Sequence, residues 1–501
     1  MAQRPALGVA LLAAAAWSPG LLQPLFGDDH IHLERSLQPA EALGAYVLRG
    51  SDSGAWWTPP DLAIPYFRPL ASLSFWPERV LWGLHPLGFH ATNLALHVLA
   101  TWLVLRVGRR LLPEAGALAA AVLFAVHPAH AEAVLWVSAR ADLLMTVGFL
   151  GAVDAFLGGR LLLGAACTLV ALASKEAAVV LPVLMLALDR RAALLSGALA
   201  AGWLGLRSLV IEGVPPHPFV HLPGDPDFLW NAVGGTLLYL LDLVLTAPVD
   251  PVVGFPLMST AWPLLVVLGL CAAALLGSLA HRSPHPTTAR LGLLWLGLTL
   301  LPVLPVSVGE RFLYLPSVGL CLLVGSVGLP RWLAGTALVF SLAKAAVFGL
   351  VVGRGHTAID DALAAIDAHP AARRVVVADL PAGAALGFPH ALRLHRPHRE
   401  LDVVVVTLAP HFLDVDPAFA SSVTRASDGL EVRAVSGPYL RSYLERAYLG
   451  EADLPAAATL DGVQVEVLEG DRDGLTAVAA RYDGATTLAL VGRGYHLEVL
   501  P

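Results

Sequence analysis

Apolar runs long enough to cross, or nearly cross, a lipid bilayer dominate the chain. They fall at roughly residues 5–26, 88–108, 115–128, 141–159, 161–174, 177–188, 192–212, 262–280, 291–306, 313–329 and 332–353. A helix rises about 1.5 Å per residue and a bilayer core is about 30 Å thick, so about twenty apolar residues in succession read as a span. In lipid only helices and closed barrels satisfy their own backbone polar groups, and runs of this length are helical. Composition agrees: 56% of residues are hydrophobic and 14% are charged, against about 25% charged in soluble domains. That excludes a soluble enzyme, a disordered chain and a nucleic-acid partner, which would require basic patches.

The charges divide the chain in two. Residues 354–501 hold 13 Arg and 20 Asp/Glu, whereas residues 1–353 hold 19 of each sign. The sequence therefore predicts a neutral membrane domain, 1–353, and an acidic soluble domain, 354–501. The second contains short β-branched runs at 374–378, 402–406, 429–433, 463–467 and 487–491. Helical stretches are expected at Thr357–Ala368 and Gly437–Leu449, giving a small α/β or α+β fold. Cys167, Cys271 and Cys321 all lie in apolar runs and read as buried hydrophobes.

Arginine placement orients the membrane domain. Arg106, Arg109, Arg110, Arg160, Arg190, Arg191, Arg282, Arg290 and Arg331 fall on one side if the N-terminus is cytoplasmic. Residues 27–87, 129–140, 175–176, 213–261 and 307–312 then lie outside with the tail. This register needs about eleven spans, with 228–247 at the outer interface or re-entrant. The first run reads as an uncleaved span rather than a signal peptide, since it stays apolar to Phe26. Two lysines stand against 30 arginines, with abundant Ala, Leu and Gly. This suggests a GC-rich bacterial coding bias, hence an inner-membrane protein with a periplasmic soluble domain.

The outer segments hold most of the unusual residues. Asp28-Asp29-His30-Ile31-His32 follows the first span. Adjacent carboxylates there suit a general base, or with His30 and His32 a divalent-metal site, or simply a solvated loop. Arg68 sits among aromatics, where a guanidinium can bind a lipid phosphate or anchor at the interface. The segment to Leu84, with Trp76, Glu78, Arg79 and Trp82, reads as an amphipathic interfacial helix. His127, His130 and Glu132 have near-zinc spacing, but Pro128 breaks the helical register and polar cavity lining fits better. Arg140 and Asp142 follow. Lys175-Glu176 and Glu310-Arg311 each read as a local ion pair at a span end.

Taken in order, several stretches resemble a known family. They are Asp28-Asp29, Arg68-Pro69-Leu70, the run from His85 through Gly88-Phe89-His90 and Asn93 to His97, Phe124–Val134, Arg140-Ala141-Asp142-Leu143-Leu144, Ser174-Lys175-Glu176 and Glu310–Ser317. They are similar to the membrane part of the transmembrane-and-tetratricopeptide-repeat O-mannosyltransferases, over roughly residues 20–325. The resemblance implies a GT-C fold, here an all-α polytopic domain. It also implies inverting transfer from a polyprenyl-phosphate sugar to an acceptor protein, lipid or glycan. Asp28 or Asp29 would be the base. Arg68, Arg140, Arg311 and Lys175 would stabilise the phosphate leaving group. His127, His130, Glu132, Asp142, Glu176 and Glu310 would line or brace the cavity. A divalent metal stays open.

The tail departs from that family, because residues 354–501 show no 34-residue helical repeat. Its run His390, Arg393, His395, Arg396, His398, Arg399 reads as a solvated surface loop. Two other readings remain: a silent scaffold whose tail acts, or a transporter of a lipid-linked envelope substrate. The sequence shows none of the internal repeats that transporters favour.

Overall fold

A computed structural model describes the chain apart from residues 1–2, most of 38–45, 60–61, 212–219, 226–227, 246–261, 307–308, 329, 386, 410–419, most of 441–452, 472–473 and 501. Five helices are long and apolar enough to cross a membrane: Arg4–Leu22, Pro86–Leu111, Arg190–Val210, Pro263–Arg282 and Trp332–Ala368. Glu114–Ala125 and Pro128–Leu135 add a pair bent by 54°; the bend falls at Pro128, which lacks a backbone N–H. Other expected spans are shorter helices, including Leu161–Ser174 and Pro316–Val327. A count near eleven requires those shorter helices to cross as well.

Small residues let these helices pack closely, as lipid-embedded helices require. A Cβ at Gly292 would come within 2.6 Å of the Gly319 carbonyl oxygen, and one at Gly319 within 2.4 Å of that of Gly292. The 228–247 stretch is a helix, Phe228–Leu245. It packs on the Trp262–Arg282 helix and buries Asp242 completely.

The last of the five long helices, Arg331–Ala368, runs for 38 residues, about 57 Å. That exceeds a bilayer core, so the helix carries the chain from the membrane into the acidic domain. The compositional boundary at 353/354 thus falls inside one helix, and Thr357–Ala368 is its end.

All five expected strands form, as Arg374–Ala378, Asp402–Val405, Gly429–Ala434, Val463–Glu469 and Thr487–Arg493. One sheet runs His496–Val499, Thr487–Arg493, Arg374–Ala378, Asp402–Val405, with its last three strands parallel. Val375, Val376 and Val377 are fully buried, as a sheet covered on both faces demands. The second sheet is five-stranded and antiparallel. The expected helix Gly437–Leu449 lies largely outside the described residues.

The segment between the first two long helices is sewn to these sheets. Tyr46–Arg49 pairs with Ala63–Tyr66. Between them Ala55 bridges to Val405, and the Trp56 indole donates to the Val406 carbonyl at 2.9 Å. Trp56 and Trp57 belong to the soluble core. Loop and C-terminal sheet region therefore form one layer over one end of the helices.

Candidate active site

Asp28 and Asp29 open the helix Asp28–Arg35, where a carboxylate is favoured by the helix dipole. They are held differently. Asp29 is buried. Its Oδ1 accepts from the Ser138 amide at 2.7 Å and hydroxyl at 2.6 Å, and its Oδ2 from the Phe26 amide at 2.9 Å. Asp28 is half-buried, and its carboxylate makes no hydrogen bond among the described residues. The charge of the Arg311 guanidinium acts on it. Burial raises both carboxyls above the ordinary range, Asp29 to about 7.

Around Asp28 the cations are held by carboxylates from behind. The Arg68 Nε donates to Glu176 at 2.9 Å, and its Nη2 pairs with the other oxygen. Arg311 pairs through Nη1 with Glu132, whose second oxygen accepts the Arg311 amide at 2.8 Å. Lys175 donates to both oxygens of Asp142 at 2.7 Å. The neighbour pairs expected from sequence are thus split: Glu176 goes to Arg68, and Lys175 to Asp142. Glu310 goes to Lys344, which also holds Asp242 at 3.2 Å. Consecutive side chains in these short turns point to different sides, and each finds a partner on another element.

The four expected cations are not equally open. Arg140 is fully buried. Its guanidinium meets Glu78 at 2.9 Å, the Asn93 Oδ1 at 2.9 Å and the Phe89 carbonyl at 3.1 Å, and it lies over the Phe75 ring. It ties the interfacial helix Pro69–Trp82 to the Pro86–Leu111 span. Lys175 is buried too. Arg68 and Arg311 remain partly exposed and keep guanidinium N–H groups without a protein acceptor among the described residues. Arg68 stacks over Tyr66, and Arg311 over Trp136 and Phe312.

Tyr66 marks the centre of the group. It feels the charges of Arg68, Asp28, Glu176 and Arg311, and burial pushes its hydroxyl up to about 12. Sequence gave it no role, nor Ser138, which fixes Asp29; no motif distinguishes a single Tyr or Ser in such a loop.

His127 and His130 lie in the helix core rather than along an open cavity. His127 Nε2 contacts the Leu243 carbonyl at 3.2 Å, and His130 Nε2 the Ser317 hydroxyl at 2.8 Å. Asp28, Asp29, His30 and His32 do not converge on a metal position. His30 turns to the Gly27 carbonyl, His32 stacks on Phe75, and burial pushes both imidazoles down to about 3. No group of three or more His, Cys, Asp or Glu among the described residues could hold a metal.

The expected surface loop 390–399 is a correction. Phe388–His395 is a helix with His390 buried. His390 Nδ1 and Arg393 Nε, the latter at 3.2 Å, both bond Glu34 on the helix that carries Asp28. Gly387 has φ +72°, and a Cβ there would sit 2.2 Å from the Gly27 carbonyl oxygen. The soluble domain thus grips the helix of the acidic pair at both ends.

The chain is 53% identical over 85 residues to the protein O-mannosyl-transferase Tmtc1 of Drosophila melanogaster, covering 17% of this chain and 10% of that one. It is 27% identical over 297 residues to the protein O-mannosyl-transferase F38B6.6 of Caenorhabditis elegans, covering 51% and 41%. Its curated relatives are O-mannosyl-transferases. The chain spans at most about two fifths of the length of the relatives just described. No family model matches it. Among solved structures it is similar to ArnT from Cupriavidus metallidurans bound to undecaprenyl phosphate, at 15% identity and a TM-score of 0.42, over 96% of this chain and 98% of that one. The Archaeoglobus fulgidus oligosaccharyltransferase, tethered to an acceptor peptide, follows at 11% identity and a TM-score of 0.36, over 80% and 64%.

Proposed function

We propose that the chain is a membrane glycosyltransferase that moves a sugar from a polyprenyl-phosphate donor to an acceptor hydroxyl, with Asp28 as the base. The names of its relatives favour mannose as the sugar. One observation carries the choice of base: among the described residues Asp28 is the carboxylate of the pair that accepts no hydrogen bond, and the charge of Arg311, which keeps N–H groups without an acceptor there, acts on it. Asp29 is spent on Ser138 and Phe26 and positions the turn beside it.

In the proposed step the acceptor oxygen forms a bond to the anomeric carbon and its proton passes to Asp28. The bond from that carbon to the phosphate oxygen breaks, and the polyprenyl phosphate departs with the electron pair. The carbon is inverted. Arg311 and Arg68 bear the charge that grows on the phosphate. Their carboxylate partners hold the guanidiniums in place before the donor arrives, so little reorganisation remains. Lys175 and Arg140 act from behind, through Asp142 and the Glu78–Asn93 contacts. The active site faces the outer side of the membrane, with the soluble domain in the periplasm of a bacterial cell. The acceptor is a hydroxyl of a protein, a lipid or a glycan.

The test is an in vitro assay of the purified protein with a panel of polyprenyl-phosphate sugars. Asp28→Asn should abolish transfer while Asp29→Asn retains a measurable part. Unchanged transfer in the double variant Asp28→Ala/Asp29→Ala would overturn the assignment of the base, and absence of transfer by wild-type protein with every donor would favour a silent scaffold.

A further inference from the structure

The far ends of the helices carry a second charged group that the transfer reaction does not use. Asp154 lies near the end of the helix Arg140–Leu157, opposite the end that holds Arg140. Fourteen residues separate the two, about 21 Å of helix. The Asp154 side chain is only 6% exposed, and three guanidiniums converge on it. Arg106 reaches Oδ2 at 2.9 Å, Arg110 reaches Oδ1 at 2.7 Å and Arg160 reaches Oδ2 at 2.7 Å. One carboxylate cannot neutralise three arginines, so the group carries a surplus of positive charge at the edge of the bilayer, where unpaired charge is costly.

The surplus is directed outward. The three arginine side chains are 33%, 29% and 46% exposed. Nη1 of Arg106, both Nη of Arg110, and Nε and Nη1 of Arg160 have no protein acceptor among the described residues. The backbone is shaped for the convergence. A Cβ at Gly158 would come within 2.8 Å of the Arg110 Nη2, and Gly159, at φ +72°, turns the chain so that Arg160 returns to Asp154. Beside the arginines lies apolar surface. Leu99, Trp102 and Arg106 fall on one exposed stripe of the Pro86–Leu111 helix, and Arg106 lies 4.8 Å from the Trp102 ring centroid. Arg109, one residue from this group, pairs instead with Glu114 at 2.6 Å.

We propose that Arg106, Arg110 and Arg160 form a binding site for the phosphate of an anionic phospholipid, on the membrane face opposite the candidate active site. The guanidiniums take the phosphate oxygens by charge-assisted hydrogen bonds, and an acyl chain follows the Leu99–Trp102 stripe. That stripe selects a lipid over a free anion, since inorganic phosphate has nothing to lay against it.

Native mass spectrometry of the full-length protein in detergent tests this, with phosphatidylglycerol, phosphatidylethanolamine or inorganic phosphate added. Wild-type protein should retain phosphatidylglycerol over phosphatidylethanolamine by on the order of tenfold. Arg106→Gln/Arg160→Gln should erase that preference, and Arg109→Gln should keep it. Equal retention of the two lipids by wild-type protein, which needs no variant, would overturn the proposal. So would an unchanged preference in Arg106→Gln/Arg160→Gln, or displacement of phosphatidylglycerol by millimolar inorganic phosphate.

Discussion

The two ends of the membrane domain handle charge in opposite ways. At the end that holds Asp28, four cations each have a carboxylate of their own: Arg68 has Glu176, Arg311 has Glu132, Lys175 has Asp142 and Arg140 has Glu78. Asp28 and Asp29 remain over. At the other end three arginines share Asp154. A surplus of acid beside partly open guanidiniums suits proton abstraction next to a bound phosphate. A surplus of arginine suits holding an anion and leaving it unchanged. The difference teaches that the balance of each layer, more than its content of charged residues, separates a site built for chemistry from one built for anchoring.

The largest expected effect breaks the outer layer at its unpaired acid. Asp28→Asn should lower kcat by about 10²–10⁴, as removal of a general base does, with KM for the donor little changed in steady-state assays. Next is Arg311→Gln, which removes charge stabilisation from the leaving phosphate and leaves Glu132 without its cation. Transfer should fall by about 10²–10³, and a donor with a better leaving group should recover part of the loss. A smaller effect comes from Glu34→Gln, which releases the soluble domain's hold on the Asp28–Arg35 helix. Misplacing a reacting group by about 1 Å costs up to about 10²-fold. The drop should lie in kcat, and Arg393→Gln should reproduce it.

The acid surplus also has a pH signature. Burial raises Asp29 to about 7 from the ordinary 3.8, so the folded protein holds a proton that the unfolded chain has released. That contribution to stability is complete below about pH 3.8 and is lost as pH rises through about 7. Thermal unfolding in detergent should therefore shift to lower temperature between pH 5 and pH 8, and Asp29→Asn should flatten the shift. Asp28, also raised, must be ionised to act as base, so transfer should increase with pH through its titration. The smallest effect serves as control: Arg109→Gln breaks an exposed pair worth little, and transfer should stay within about twofold.

Much of this was legible in the sequence, and the failures share a cause. Hydropathy predicted the long apolar helices, and β-branched runs predicted the five strands, because both signals are local. The motifs that carried the family resemblance include Asp28, Arg68 and Arg311, on which the proposed site is built. Yet Asn93 and His97 prove to be internal braces, bonded to Trp136 and Tyr314, not groups open to a ligand. Ion pairs were misread because adjacency in sequence was taken for adjacency in space, as at Lys175-Glu176 and Glu310-Arg311. His390 and Arg393 looked like a solvated run because their partner, Glu34, lies more than 350 residues away. The single long helix that crosses the compositional boundary left no local mark either, since its apolar and polar halves are each good helix formers.

The central claim is that Asp28 is the base and Asp29 its support. Single-turnover transfer with one polyprenyl-phosphate sugar, compared across wild type, Asp28→Asn and Asp29→Asn, tests it most directly. The account predicts a rate near background for Asp28→Asn and a clearly higher, reduced rate for Asp29→Asn. The reverse order, with Asp28→Asn the more active of the two, would contradict it.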